Sequence, residues 1–426
     1  MKRYSEYKDS GVKWIGEIPG HWKIMRLRAY LSMYSEKNHP DKQLLSVTRE
    51  SGVIVRNTES KEENHNYIPD DLSGYKLVRI GDFAINKMKS WQGSYGVSNF
   101  EGIVSPAYYV CKLKFPYKDF FSNAIRCKAY IPFFTQYSKG IRVDQWDLSP
   151  IALKNIPFFE PPLPEQEAIV TYLDSKVAKI DEYISIAEKK IAALEELKQT
   201  IIAEAVTRGI HKDVPMKDSG VKWIGMIPEH WNTPRIKSVA IFNPSKSTNN
   251  YQKVGYAPMD CIRCGNITAG IIDYKKLPTG LTYFENEDIV VAKVTPCFEN
   301  GNIAIAKNLH NGCAYGSSEL FVFRCYGVEN RYLFYYMQDE KFKHKCCSTM
   351  TGTGGLKRIS SSFIRNAFIP LPPLSEQQEI VTYLDSKVAN INQLCQAERS
   401  QIEKLKEYKQ RLISDVVTGK VKVTND

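Results

Sequence analysis

TYLDSKVA, from Thr171 to Ala178, returns letter for letter from Thr382 to Ala389, and that repetition decides the fold. Each copy follows a proline-rich lead-in, PPLPEQEAIV at Pro161 and PPLSEQQEIV at Pro372. Each also opens a segment whose apolar residues step by three and four: Val170, Leu173, Val177, Ile180, Ile184, Ala187, Ile191, Leu194, Lys198, Ile201 and Ala205. The second series lies 211 residues on: Val381, Leu384, Val388, Ile391, Cys395, Glu398, Ile402, Leu405, Lys409, Leu412 and Val416. A heptad kept that long, with no interior Gly or Pro, predicts a helical seam, and the simplest partner for each copy is the other. Pro161, Pro162 and Pro164 read as extended chain before the first helix, with Glu165 and Glu167 suited to its first turn. Ser375 with Gln378 reads as a capping box for the second. The helices are expected to stop near Gly209 and Gly419. Roughly 43 residues at ~1.5 Å each make a rod of about 60 Å. Lys198, Lys409 and Glu398 interrupt the seam, where polar residues specify register.

A second repeat frames the rest. KDSGVKWIGEIPGHW, Lys8 to Trp22, returns as KDSGVKWIGMIPEHW, Lys217 to Trp231, and reads as an apolar strap at the edge of a globular module. The chain is thus strap, module, helix, twice over. The fold class is α/β (α+β): two globular modules and two long antiparallel coiled-coil helices, related by an internal pseudo-two-fold duplication. The boundaries are a first module over 1–155 (strap 8–22) and a central helical region over 156–213. A second module follows over 214–365 (strap 217–231), then a C-terminal helical region over 366–426. The modules barely resemble each other in sequence. Strand patterns in the first are LLSVT, GVIVR, YKLVRI and IVSPAYYVCKLKF, with a short helix within Phe120–Tyr137; in the second they are GIIDY, DIVVAKV, NIAIAK and ELFVFRCY, with a helix over Arg331–Lys343.

The formal charge is +11, and its placement matters more than its size. Basic against acidic residues number 24 to 16 over 1–155 and 19 to 12 over 214–365, but 7 to 11 over 156–213 and 8 to 8 over 366–426. The positive excess therefore sits in the modules, as two contacts with one polyanion would require. No apolar run approaches a membrane span, and the polar start MKRYSEYKDSG is no secretory signal, so a cytoplasmic setting is expected. The ten cysteines do not form an even framework and read as reduced thiols. Cys261 and Cys264 make a CxxC without a second clean pair at structural-zinc range, so no metal site is assigned. No phosphate loop, methyltransferase motif, nuclease carboxylate set or paired histidines occur, and no catalytic residue is assigned.

What remains is polar, basic and aromatic. NKMKSWQGSYG, Asn86 to Gly96, offers Lys87, Lys89, Trp91, Gln92, Ser94 and Tyr95. Lysines suit phosphates, and Gln suits a bidentate contact with adenine. YSKGIR adds Lys139 and Arg142. In the second module KVTPCFENGN offers Lys293, Thr295, Asn300 and Asn302, and TGTGGLKR offers Thr353, Lys357 and Arg358 around a Gly-rich anion nest. The seam set is Leu173, Val177, Ile180, Ile184, Ile191, Leu194, Leu384, Val388, Ile391, Ile402, Leu405 and Leu412. Replacing Leu173 and Ile180 with Asp is expected to split the helix pair while leaving the module folds intact.

KDSGxxWIGxIPxHW, a variable module, then PPLxEQxxIVxYLD, each occurring twice, with a long helix ending LKQxII in the first copy and RLIxxxVTG in the second, resembles the DNA specificity subunit of type I restriction-modification systems. WQGSYGVSNFEGIVSPAYYV and TPCFENGNIAIA with YGSSELFVFR resemble target-recognition segments of that family. The resemblance implies that each module reads one half of a bipartite, asymmetric site in double-stranded DNA. It also implies that the helices set the half-site spacing and dock two modification (methyltransferase) subunits. S-adenosylmethionine, ATP and Mg would then sit on the modification and restriction subunits, with no cofactor and no active site on this chain. A coiled-coil adaptor binding only protein, and a stand-alone DNA methyltransferase with unusual motifs, are the alternatives.

Overall fold

In the computed structural model, which describes residues 2–58, 68–140, 146–211, 213–245, 251–263, 265–352 and 356–424, the two heptad segments are unbroken helices, Leu163–Arg208 and Leu374–Val417. The first begins one residue before Pro164, so that proline occupies the first turn, where its missing N–H is no loss. The second begins at Leu374, which places Ser375 inside the first turn rather than at a cap. The amide of a glutamine holds each lead-in instead: Gln166 Nε2 donates to the Pro161 carbonyl and Gln377 Nε2 to that of Pro372, both at 2.8 Å. Gly209 and Gly419 follow the helices at φ +77 and +75, a left-handed backbone that glycine enters without steric cost.

The chain forms two compact units, residues 1–187 with 400–426, and residues 188–399. Their boundaries cut through both long helices, so each unit holds part of each. In the second unit Lys190 Nζ meets Glu398 at 2.5 Å and Lys198 Nζ meets Asn392 Oδ1 at 3.2 Å; rising numbers on one helix meet falling numbers on the other, so the pair is antiparallel. In the first unit Lys409 Nζ reaches both carboxylate oxygens of Asp181 at 2.7 Å. Asp181 and Asn392 are repeat equivalents, as are Lys198 and Lys409, so the same seam contact forms once as an ion pair and once as a hydrogen bond to a side-chain amide. Leu173, Ile180, Leu384, Ile391, Ile402 and Leu412 are buried, and Val177, Ile184, Ile191, Leu194, Val388 and Leu405 are half-buried.

Each strap is a small antiparallel hairpin, Tyr7–Asp9 with Glu17–Pro19 and Met216–Asp218 with Met226–Pro228. It ends in a tryptophan that is wholly buried, Trp22 or Trp231. Trp22 Nε1 donates to Glu165 Oε2 at 2.9 Å, and His21 Nε2 lies 2.5 Å from Oε1. Trp231 and His230 repeat this on Glu376 at 3.1 and 2.8 Å. A carboxylate in the first turn of a helix is stabilised by the exposed amides there, so one Glu both suits its helix and latches the strap.

The modules share a topology that their sequences conceal. The main antiparallel sheet of the first runs Leu31–Tyr34, Tyr109–Leu113, Phe83–Ile85, Tyr95–Val97; that of the second runs Ala240–Phe242, Leu320–Cys325, Ile289–Ala292, Ile303–Ile305. First, last, second, third is the chain order in both. Asp82 and Asp288 immediately precede the corresponding second strands, and each accepts the backbone N–H three residues earlier at 2.8 Å. A further layer is a four-stranded sheet in the second unit, Gly270–Asp273, Lys253–Ala257, Cys313–Gly316, Thr282–Glu285, with one parallel pairing. In the first unit it is a hairpin, Leu45–Thr48 with Gly52–Val55, and an antiparallel pair, Lys76–Val78 with Gly102–Val104, joined by a parallel bridge between Leu44 and Ile103. A Cβ on Gly102 would lie 2.5 Å from the Gln43 carbonyl, and one on Gly255 would lie 2.7 Å from Ala314 Cβ, so the parallel approach needs glycine in both units. The helical patterns resolve into paired helices, Lys118–Arg126 with Ile131–Tyr137, and Asn330–Gln338 with Glu340–Cys347. Among the described residues no helix is long and apolar enough to cross a membrane.

Candidate nucleic-acid interface

The two loops singled out in each module connect equivalent strands. Asn86–Ser94 joins Phe83–Ile85 to Tyr95–Val97, and Lys293–Asn302 joins Ile289–Ala292 to Ile303–Ile305. The chain that follows the later segments, YSKGIR and TGTGGLKR, returns to the base of these loops. Leu148 N–H donates to the Lys87 carbonyl at 3.1 Å, and Ile359 N–H donates to that of Lys293 at 2.9 Å. Two unrelated sequences thus bring the same two loops together at the same place in the sheet.

In the first module Lys87 Nζ is 2.7 Å from Asp147 Oδ2, and that hydrogen bond raises its pKa and keeps the ammonium charged. The Trp91 ring packs on Trp146 at 5.3 Å, and Ser90 Oγ lies 3.4 Å from Ser138 Oγ. Lys89 and Lys139 are exposed and Gln92 is half-buried. Ser94 and Tyr95 must be withdrawn from the contact set. Ser94 is 3% exposed, and Tyr95 is fully buried with its ring stacked on Phe134 at 3.8 Å; inward positions of a strand belong to the core. Arg142 lies outside the described residues.

Behind this loop stands Arg126, whose guanidinium donates to the carbonyls of Tyr95, Arg49 (3.1 Å) and Glu50 (2.8 Å). Burial pulls its pKa down, and three carbonyl dipoles take the place of a counter-ion. A Cβ on Gly52 would come within 2.8 Å of Nη1, so a glycine makes room for the brace.

In the second module the Lys357 N–H donates to Thr295 Oγ1 at 2.9 Å, and Lys293 Nζ sits over the Phe321 ring at 5.5 Å. Asn300 and Lys357 are exposed and Asn302 is half-buried. The Arg358 fork closes on Glu319 at 2.8 and 3.0 Å, which raises its pKa and holds the Glu319 carboxyl below the usual range. Arg358 is therefore not an open anion ligand: a phosphate must displace a bidentate carboxylate. Thr353, like Cys264 of the CxxC, lies outside the described residues. Sequence reasoning missed Trp146, Asp147, Glu319 and Arg126, which act across 31 to 77 residues of intervening chain. Only Trp146-Asp147, just past the basic YSKGIR run, carried a local signal. The exposed Lys89, Lys139 and Lys357 suit phosphate oxygens, while Gln92 and Asn300 present amides of the kind that read base edges.

Residues 228–404 match the type I restriction modification DNA specificity domain. The chain is 32% identical to the specificity subunit of the type I restriction enzyme EcoAI of Escherichia coli over 231 residues, 52% of this chain and 38% of that one. It thus spans less than two fifths of that relative's length. It is 26% identical to the MjaVIII specificity subunit of Methanocaldococcus jannaschii over 442 residues, covering 98% of both. In fold it is similar to a chain solved in work on complex assembly and conformational transition of the type I R-M system, with a TM-score of 0.67, 18% identity and coverage of 94% and 98%. The doubled strap and helix, the domain match over 228–404 and the full-length similarity converge on one likeness: the chain resembles the type I restriction-modification specificity subunits.

Proposed function

We propose that the chain reads a bipartite, asymmetric site in double-stranded DNA, one half with each module (within 1–155 and 214–365), and carries no active site itself. The observation that supports this most is the pairing of one topology with two unrelated sets of loop residues. What is shared holds the loops in the same place, and what differs is what faces a ligand. The repeated helices are read as the element that sets half-site spacing and docks two copies of one partner, the modification subunit. That subunit would hold S-adenosylmethionine and transfer the methyl group, and restriction subunits would use ATP and Mg to move and cut DNA.

Incubating DNA and labelled S-adenosylmethionine with the purified chain, and with the chain plus modification subunits, tests the division of labour. Incorporation is expected only with the full set. Incorporation by the chain alone would place an active site here and overturn the reading.

A further inference from the structure

The two units set the same helix positions against the same part of their modules, with opposite charge. In the first unit Lys406, Glu407 and Gln410 line a cleft of about 710 Å³ with Arg126, Lys128 and the Gln92–Gly93 turn. In the second, the repeat equivalents Glu195, Glu196 and Gln199 line a cleft of about 600 Å³ with Asp339, Glu340 and Lys341. Lys128 and Glu340 each stand two residues past the end of the module's first helix. Lys406 is thus exchanged for Glu195, and Lys128 for Glu340. Six basic residues face four acidic ones in the first cleft, and one faces four in the second.

Two copies of one protein partner bring the same complementary charges to both clefts. Positions whose sign inverts are ill suited to such a shared surface and belong with what differs between the halves. The first cleft is also continuous with the loop read as a DNA contact, since Gln92 lines both. Lys128, Lys404 and Lys406 are exposed. Asp181, one of the four acids, is already occupied by Lys409, and Glu403 stands 3.5 Å from Lys406 on the same exposed helix face.

We propose that this cleft is a phosphate-binding surface that extends the first module's grip onto the DNA backbone, and that the acidic cleft of the second unit has no such role. The proposal rests on the reading of the chain as a DNA-recognition subunit. It gives the C-terminal helix a DNA contact that its even charge balance conceals.

The test is the salt dependence of specific DNA affinity, measured on the chain assembled with its modification subunits, for the unsubstituted protein, K404A/K406A and, in the other cleft, E195Q/E196Q. Alanine keeps the helix. Each phosphate contact contributes about 0.9 to the slope of log affinity against log salt. The slope of K404A/K406A should therefore fall by about 2, with E195Q/E196Q unchanged. An unchanged slope in K404A/K406A overturns the proposal, as does loss of the modification subunits from that variant, which would assign the cleft to protein. If the unsubstituted complex shows no sequence-specific binding, the DNA reading itself fails, and the cleft with it.

Discussion

Asp339 shows how one buried residue can be separated into a geometric and an electrostatic part. Its side chain caps the helix Glu340–Cys347 by accepting the Phe342 N–H at 2.9 Å, yet burial pushes its carboxyl above the ordinary range against that amide's pull. A folded-state pKa above the unfolded one means that the folded protein holds the proton more tightly. Stability from this group is therefore present at acid pH and lost as pH rises through the raised value. Asn caps as well as Asp and cannot ionise. D339N is expected to be neutral or stabilising at pH 7 in thermal denaturation and to flatten this part of the pH profile. D339A should cost about 1 kcal/mol through the lost cap. Tyr332 is a simpler case: fully buried, it donates to the carbonyls of Val206 and Pro370 at 3.1 and 2.8 Å. Y332F removes that donor and should destabilise the second unit by roughly 1–2 kcal/mol in denaturant titration.

Elements made of local pattern were the legible ones. The long helices could be read because the heptad from Val170 and its copy from Val381 carry their own periodicity. The straps could be read because Trp22 and Trp231 end runs that differ at only two of fifteen positions. The modules' common topology could not, since Asp82 and Asp288 or Gly102 and Gly255 serve it without any shared sequence around them. Within the candidate site, charge and amide content singled out loops that connect equivalent strands in the two modules. Which side chains face outward depended on strand phase and on distant partners, and so the burial of Tyr95 and the pairing of Arg358 with Glu319 could not be read locally. The helix pair also offers an internal control. N392D copies into the second unit the acid that Lys409 meets in the first, and D181N does the reverse. Because Glu195 already engages Lys198, the gain in N392D should be at the low end of about 0.2–1 kcal/mol, with a comparable loss in D181N. Both effects should shrink in high salt, as denaturation at two ionic strengths will show.

At the scale of the whole molecule, the expectation that seam and modules are separable needs correction. Leu173 and Ile180 lie in one apolar cluster with Trp22, Phe121, Phe158 and Leu412, so the helix is a wall of the first module's core and not a rod beside it. L173D/I180D should unfold the first unit as a whole, by more than about 4 kcal/mol, because two charges are buried without partners. Limited proteolysis should then cut within 1–187 while 188–399 stays resistant. Survival of the first module would restore the view of an independent rod.

The way the chain is shared between units also bears on the order in which it is made. Residues 188–399 are contiguous, whereas the unit that starts at the N-terminus is completed only by 400–426, which supply the buried Leu412, Val416 and Val417. Domains usually mature on the ribosome in the order of synthesis. Here the half made first must wait, open along one wall of its core, until the last helix has emerged, and the half made second can close before it. Nascent chains arrested just after residue 399 should accordingly bind chaperones through the first half, and release of residues 400–426 should end that binding.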